Sequence, residues 1–330
     1  MKKYELTSET KVNNGVKLHR IKALNSFGDI NKGDLGGWIE GEKNLSQDGD
    51  AWVCGNATVF EGAIVDDNAK VCGNATVCGN TKVGGNATVR GNTKVCGNAC
   101  VSGNAKVYEN AKVGGNAKVR GYAKVCGNAC VSGNAKVYEN ATVYGDAIVD
   151  ENAKVGGNAT VFEDAIVYDN ATVCGNAKVY ENATVCENAK VYDNATVGRN
   201  AKVYGDAIVD DNAKVRGNAK VGGNAKVRGN AFISGNAVVS GNAVVRGNAI
   251  VDDNAKVGGI ADYIVFKNWW SSGRYFTWTR SNNKWKVGCF YGSGEELIKK
   301  AYKDSEKSGR EYERVVNYVE SILQEDNNNK

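Results

Sequence analysis

A six-residue repeat runs through most of this chain. The phrase G-N-A-x-V-x continues without insertion from Gly49 to Gly258, which is 210 residues or 35 hexads. The fifth position is Val in every hexad but one, and the third is Ala in all but two. A β-branched residue two places after a small one favours a short strand, and Gly and Asn tolerate the left-handed backbone of a sharp turn. The repeat therefore predicts one strand and one turn in each hexad, with the Val and Ala columns facing inward.

The repeat length also predicts how the strands are arranged. Three hexads close one triangular coil, so 35 hexads give about 12 coils, stacked at the strand spacing of roughly 4.8 Å. Each coil then pairs its backbone with the coils above and below it. Proline is absent from the chain, which suits a continuous ladder whose strands need their N–H donors.

Two stretches of sequence resemble a known family. The phrase V-x-G-N-A-x looks like the hexapeptide repeat of left-handed parallel β-helices. The segment GDLGGWIEGEKNLSQDGDAWV, residues 33–53, together with GVKLHRIKAL before it, resembles the entry segment of the YdcK-like hexapeptide-repeat proteins. The resemblance implies a mainly β fold, a left-handed parallel β-helix. Relatives with this layout occur in bacteria and their phages and are labelled acyltransferases or polymer-forming proteins.

The chain divides into three segments on this interpretation: a capping segment at 1–48, the β-helix at 49–258 and a different module at 259–330. A stack of coils exposes an open edge and an apolar cross-section at each end, so both ends need covers. We expect a hairpin turning at Asn14 and Gly15, and then Leu35, Trp38, Ile39 and Leu45 covering the first coil.

Residues 259–330 abandon the hexad and predict a small α+β domain. A hairpin turning at residues 282–283 places Trp278 opposite Val287 and Phe276 opposite Cys289. Ser293 and Glu296 form a capping box for one helix, and Gly309 is expected to separate it from a second.

Four aromatic residues of this domain exceed what so small a core needs. They are Trp269, Trp270, Tyr275 and Trp285. They either pack on the last coil or bind a partner, so they are the candidate binding residues.

An enzymatic role depends on one residue. The resemblance implies a histidine as general base and acetyl-CoA as acyl donor, but the chain has a single histidine, His19, and it precedes the repeats. A general base must reach the proton that it removes, and His19 is expected on the outer face of a capping hairpin. No loop interrupts the hexads. The sequence therefore favours a protein without catalytic residues or cofactor, and His19 is the candidate only if the chain is an acyltransferase.

The ten cysteines suggest disulfides or a metal site. Cys54 and Cys72 are 18 residues apart, as are Cys78 and Cys96, so each pair should stack on neighbouring coils within bridging distance. The other six lack a cysteine at that separation, and six unpaired thiols are unusual in secreted proteins. No C-x-x-C pair occurs, so no zinc site is expected. We predict reduced thiols at all ten positions.

The charge balance and the outward side chains limit the classes of partner that the repeats could bind. The repeats carry 22 basic and 20 acidic side chains, a balance that argues against a nucleic-acid groove. Lysines interrupt the outward threonines, which excludes an ice-binding surface, and Tyr108, Tyr144 and Tyr180 share one outward row. The start MKKYELTSET is not a secretory signal, and no apolar run has the length of a membrane span.

The sequence thus predicts a cytoplasmic, non-enzymatic scaffold or binding protein of bacterial or phage origin. A protein partner is expected, and homo-oligomerisation is left open. The alternative is an acyl-CoA-dependent acyltransferase built on the same helix.

Overall fold

A computed structural model describes residues 2–328 and forms two compact units, divided between Arg199 and Asn200. In both units each hexad contributes a two-residue strand from its fourth and fifth positions. These strands, β4 (Trp52–Val53) to β38 (Lys256–Val257), recur every six residues. The fold is a parallel β-solenoid of about 12 turns with a small α+β domain at its C-terminal end, which confirms the predicted fold class. The predicted segment boundaries stay predictions.

The first unit begins with the capping segment. Strands β1 (Tyr4–Asn13) and β2 (Val16–Ala23) form an antiparallel hairpin, and β2 pairs with β3 (Leu35–Ile39). A 3-10 helix, Glu42–Asn44, follows. Strand β3 pairs in parallel with β5 (Thr58–Val59), so the cap adds a strand to the solenoid ladder.

Three of the four residues expected to cover the first coil do so. Trp38, Ile39 and Leu45 are buried, whereas Leu35 is 51% exposed and its prediction is wrong. Leu35 lies at the start of β3, directly before the glycine pair that passes close to Ile21 and Val53. The side chains that reach the coil therefore come from the second half of that strand.

Each strand of the solenoid pairs with the strand three hexads later, so the first unit has three parallel sheets. We name them by their first repeat strand: the Trp52 face, the Thr58 face and the Ile64 face. The fifth-position side chains and the third-position alanines are buried throughout. The fourth-position N–H donates to a carbonyl 17 residues on, as Lys106 does to Ala123 at 2.9 Å.

The corners differ in detail from the sequence prediction, which gave left-handed backbone to both the first and the second position. Only the first position has a positive φ, for example 84° at Gly91 and 65° at Glu109. The second-position asparagines instead form side-chain ladders, in which each Nδ2 donates to the Oδ1 of the asparagine 18 residues on. The bond from Asn98 to Asn116 is 3.0 Å long.

Acidic residues replace glycine at many first positions and keep the left-handed φ. Their carboxylates accept the backbone N–H of the residue 18 positions on, as Glu109 does from Gly127 at 2.6 Å. The same bond is made by Glu61, Asp67, Glu139, Glu163, Asp169 and Asp211. A charge-assisted bond of this kind offsets the strain that a Cβ brings to a left-handed residue.

The second unit continues the hexads and ends in the α+β domain. Strands β39 (Tyr263–Lys267), β40 (Tyr275–Thr279), β41 (Lys284–Val287) and β42 (Phe290–Gly292) form an antiparallel sheet in that order. A 3-10 helix, Ile260–Asp262, precedes the sheet. Helices α1 (Gly294–Asp304) and α2 (Glu306–Asn328) follow it, and the Ser293 and Glu296 capping box at α1 is confirmed.

Two predictions for this domain were wrong in detail. Phe276 lies opposite Val287 and Trp278 opposite Trp285, so the hairpin is two residues out of the predicted register, although the apolar face is unchanged. Gly309 lies inside α2 instead of separating two helices. The ring of Tyr302 fills the space where a Gly309 side chain would be, which explains a glycine within that helix.

The α+β domain closes the last turn of the solenoid with side chains. The Ile250 N–H donates to Thr277 Oγ1 at 2.9 Å, and the Lys256 N–H donates to Ser281 Oγ at 2.7 Å. The Tyr263 hydroxyl donates to the Val244 carbonyl at 2.8 Å. Val244, Ile250 and Lys256 belong to three different sheets, so each sheet of the last turn receives one hydrogen bond from the domain.

Candidate functional site

His19 lies on β2, where it pairs with Thr10 on one side and Ile39 on the other. Its ring is half-buried, and Nδ1 is 3.4 Å from the Thr7 carbonyl oxygen. The predicted hairpin is therefore present, with Leu18 buried and Lys17 exposed. The imidazole contacts a backbone carbonyl of the cap and lies outside the repeats, as its sequence position indicated.

The four candidate aromatic residues separate into two pairs. Trp270 and Trp285 are buried in the core of the C-terminal domain, where the indole of Trp270 contacts the rings of Phe276 and Tyr312. The domain core comprises Trp270, Phe276, Trp278, Trp285, Leu297, Ala301, Tyr312, Val316 and Val319. These two tryptophans are structural members of that core.

Trp269 and Tyr275 are exposed, with 71% and 39% of their surfaces accessible. The Trp269 ring lies nearly perpendicular to the Trp270 ring, with 5.9 Å between their centroids, so it packs against a core residue. The Lys267 ammonium lies 5.8 Å from the centre of the Tyr275 ring. Both exposed rings therefore flank one end of β39 and β40, where they are available to a partner.

The outward aromatic row of the first unit proves to be a stack. Phe162 lies between Tyr144 and Tyr180, with ring centroids 5.1 and 5.2 Å apart and planes within 9°. The far face of Tyr180 covers Gly198. Because the ring faces are used in stacking, the row presents mainly ring edges to solvent. The sequence analysis missed this stack, since Phe162 was not included with the tyrosines.

Four cysteines form two disulfide pairs in the structure, and the redox state of all ten cysteines in the cell stays a prediction. Cys54 bonds to Cys72 and Cys78 to Cys96, with Cα atoms 4.6 and 4.7 Å apart. The stacking of each pair on neighbouring coils was predicted, and both Cα separations lie within the range that disulfides span. Each bond joins two successive turns of the first unit.

Two other cysteines lie beside tyrosine hydroxyls of the preceding turn. A hydrogen bond to the Cys126 sulfur, together with burial, raises the pKa of Tyr108 to about 12, and burial raises the pKa of the Cys126 thiol. Tyr168 and Cys186 repeat the arrangement, and the pKa of Tyr168 is also about 12. Both tyrosines therefore stay protonated at neutral pH and act as hydrogen-bond donors. No group of three or more metal-ligating side chains occurs within residues 2–328.

A basic groove lies on the Ile64 face of the first unit. It has a volume of about 360 Å³ and is lined by Lys118, Arg120, Lys136, Tyr138 and Lys154. Lys118 pairs with Lys136, and Lys136 with Lys154, at equivalent positions of three successive strands. Arg120 and Tyr138 stand beside the lysines in a second row. We call these five residues the basic groove. Sequence reasoning missed it, because it considered total charge and not the charge of one face.

No described helix is both long and apolar enough to cross a membrane.

Comparisons with known proteins agree with the repeat architecture. A family model described as the YdcK β-solenoid repeat matches residues 231–247. The uncharacterized acetyltransferase YdcK of Escherichia coli (strain K12) is 35% identical over 74 residues, which is 20% of this chain and 23% of that protein. These findings support a YdcK-like hexapeptide-repeat protein. This chain thus spans about a quarter of the curated relative that it matches.

Two solved structures are also similar. An Arabidopsis UDP-N-acetylglucosamine acyltransferase has 14% identity and a TM-score of 0.30, over 51% of this chain and 68% of that one. A protein of Desulfovibrio desulfuricans G20 provisionally called an acetyltransferase has 11% identity and a TM-score of 0.26, over 67% of this chain and 71% of that one. Similarity at these low TM-scores does not bear on function.

Proposed function

We propose that this chain is a non-enzymatic β-solenoid scaffold that presents a binding surface at its C-terminal domain. The observation that carries the proposal is the closure of the last turn, in which Tyr263, Thr277 and Ser281 each hydrogen-bond one backbone group of a different sheet. Each of these bonds occupies a backbone group that another chain would need for pairing at this edge. The domain that closes it still leaves Trp269 and Tyr275 exposed, and large exposed aromatic rings are typical of binding sites.

The expected partner is a protein, since tryptophan and tyrosine are enriched at protein interfaces. A cross-linking experiment in the native host tests this. The double variant Trp269→Ala, Tyr275→Ala should lose a cross-linked partner that the wild type captures. The matched control is Tyr318→Ala, because Tyr318 is 57% exposed on α2 and its substitution should leave capture unchanged. Equal capture by all three proteins would contradict the proposed surface.

An acyltransferase is the second candidate, favoured by the similarity to YdcK, which carries that description. It would use His19 as base and acetyl-CoA as donor. Thermal unfolding with and without acetyl-CoA separates the two candidates, because a ligand that binds only the folded state raises its stability. We expect no shift. Acetyl-CoA turnover that His19→Ala abolishes and Lys17→Ala retains, with both variants folded, would establish the enzyme instead.

The cellular setting is part of the proposal. We place the chain in the cytoplasm of a bacterium, encoded by a phage or prophage, without requiring nucleic acid as a partner. Sedimentation of the purified protein measures whether the chain forms homo-oligomers. Disulfides form in oxidising compartments, so the bonds at Cys54 and Cys78 test the location. Alkylation of freshly lysed cells followed by mass spectrometry should find these thiols reduced if the protein is cytoplasmic, and bonded if it is exported.

A further inference from the structure

We propose that the basic groove of the first unit binds a small, multiply charged phosphate anion, of the di- or triphosphate class. This inference does not depend on the proposed scaffold function. Three lysines stand at equivalent positions of successive strands, so their stems are separated by about 4.8 Å. Arg120 stands two residues after Lys118, on the same side of its strand. The four cations therefore converge on one surface of the Ile64 face.

The cations of the groove are not neutralised by side chains. Within residues 2–328, no ion pair involves Lys118, Arg120, Lys136 or Lys154. Lys82 of the same row, by contrast, pairs with Asp66 at 2.9 Å. Like charges directly opposite each other on neighbouring strands are destabilising. The groove is therefore a site where an anion would remove a repulsion that the folded chain otherwise retains.

Carboxylates do border the groove, but they are engaged at the corners. Glu139 follows Tyr138 and accepts the Gly157 N–H at 2.7 Å. Glu151 lies three residues before Lys154, and its carboxyl hydrogen-bonds Asp169, which raises the pKa of Glu151. These interactions direct both side chains along their corners of the coil, so the lysine ammoniums are left to a ligand.

The second row supplies a neutral donor, the Tyr138 hydroxyl. Position 156 is Gly, and the ring of Tyr138 leans into the space that a side chain there would fill. Burial raises the pKa of Tyr138, so its hydroxyl stays protonated and can donate to a phosphate oxygen. A side chain at position 156 would displace the Tyr138 ring from this position beside Lys154.

The length of the lysine row determines the ligand class. The run of consecutive lysines is interrupted by Cys100 on one side and Thr172 on the other, so three lysines span two strand spacings, about 10 Å. A short polyphosphate fits that length, with its oxygens shared among the ammoniums and the Arg120 guanidinium. A long polyanion would need cations on further turns of this face.

Calorimetric titration of the full chain with inorganic tripolyphosphate at low salt tests the proposal. The variant Lys118→Ala, Lys136→Ala, Lys154→Ala should bind at least about tenfold more weakly, because each charged contact contributes appreciably to phosphate binding. The matched control is Lys106→Ala, Lys124→Ala, Lys178→Ala, which removes the same charge from the same hexad position on the Trp52 face. It should change the affinity less than about threefold, since screened charges on another face contribute little.

Thermal unfolding distinguishes loss of binding from loss of fold. Without the anion, the groove variant should unfold at the same or a higher temperature than the wild type, since like-charge repulsion is relieved. Its fold should tolerate the change, because Cys100 and Thr172 occupy equivalent positions naturally. No binding by the wild type, or equal weakening in the two triple variants, would overturn the proposal. So would binding of long-chain polyphosphate that depends equally on both faces, since that would indicate an extended polyanion held by general charge.

Discussion

A turn inside the solenoid and its last turn are closed by different chemistry. Inside the second unit, the N–H groups of Lys202, Ile208 and Lys214 each donate to a backbone carbonyl of the next turn at 2.9 Å. In the last turn, the N–H groups of Ile250 and Lys256 donate to side-chain hydroxyls. The interior bond comes from the backbone and recurs in every hexad, whereas each bond at the end depends on one side chain. Single substitutions should therefore lower the free energy of unfolding more at the ends than inside the solenoid. The interior should be destabilised mainly by insertions or deletions that break the six-residue frame.

The largest expected effect is a break in the hexad frame. Deleting residues 217–220 should move Gly into the column that Ala occupies, Ala into the column that Val occupies, and Val into the turn. Each displaced Val costs about 1.5–3 kcal/mol, so the free energy of unfolding should fall by several kcal/mol. Chemical denaturation of the purified protein measures the loss.

The control is deletion of the whole hexad 217–222, which keeps every Val and Ala facing inward. Its free energy of unfolding should fall far less than that of the four-residue deletion. If the two deletion variants have equal free energies of unfolding, the inward Val and Ala columns do not determine the fold. The interior would then not be specially sensitive to the hexad frame.

The next largest effect concerns the hydroxyl that closes the last turn. Thr277 is 1% exposed, and its Oγ1 accepts the Ile250 N–H. Thr277→Val keeps the shape but leaves that N–H without an acceptor, which should lower the free energy of unfolding by about 1–3 kcal/mol. Thr277→Ser retains the acceptor and should cost less. A cost of Thr277→Val no greater than that of Thr277→Ser would show that packing, not the hydrogen bond, closes this edge.

Ser281 gives the matching comparison at an exposed position. Its bond to the Lys256 N–H lies at the surface, so water can replace the hydroxyl in Ser281→Ala. That variant should lose less than about 1 kcal/mol.

This difference also explains how far the sequence could predict the molecule. The repeat predicted the strands, the inward columns and the three sheets because each feature recurs in 35 hexads. The closure by Tyr263, Thr277 and Ser281 was not predictable, since nothing in the sequence indicates which residue of the domain contacts which backbone group of the solenoid. The basic groove is an intermediate case. Lys118, Lys136 and Lys154 are 18 residues apart and could have been placed on one face, but the packing of the Tyr138 ring over Gly156 depends on the rotamer of Tyr138.

At the other end of the chain, the Lys3 ammonium donates hydrogen bonds to backbone carbonyls at the start of the first coil. It is 6% exposed and donates to the carbonyls of Asp48, Gly49 and Ala51 at 3.3, 3.2 and 3.0 Å. Burial lowers the pKa of Lys3 from 10.5 to about 8, against the opposing effect of Asp50 and Asp48. Between these two values the unfolded chain binds more protons than the folded chain, so the contribution of Lys3 to stability rises with pH.

Denaturation at several pH values tests the closure by Lys3. From about pH 7 to about pH 10, the free energy of unfolding of the wild type should rise by about 1–2 kcal/mol relative to Lys3→Met. The variant is the necessary reference, because burial also raises the pKa of groups such as Tyr4 and Cys126, which oppose the trend at high pH. Parallel pH profiles for the two proteins would mean that Lys3 is not desolvated in the folded state.

The smallest effect is expected inside the solenoid, on the asparagine ladders. Asn98 accepts from Asn80 at 3.3 Å and donates to Asn116 at 3.0 Å, at an exposed corner. Asn98→Ala removes both bonds, but water replaces them and the ladder continues on either side, so the cost should be about 0.5–1 kcal/mol. Asn104 accepts a hydrogen bond from Asn86, but the next position of its ladder, 18 residues on, is Tyr122, which has no side-chain amide to accept one. Asn104→Ala therefore removes one bond instead of two and should cost about half as much. Denaturation of both variants measures the ratio. A cost for Asn98→Ala that equals or exceeds that of Thr277→Val would refute the claim that repetition protects the interior.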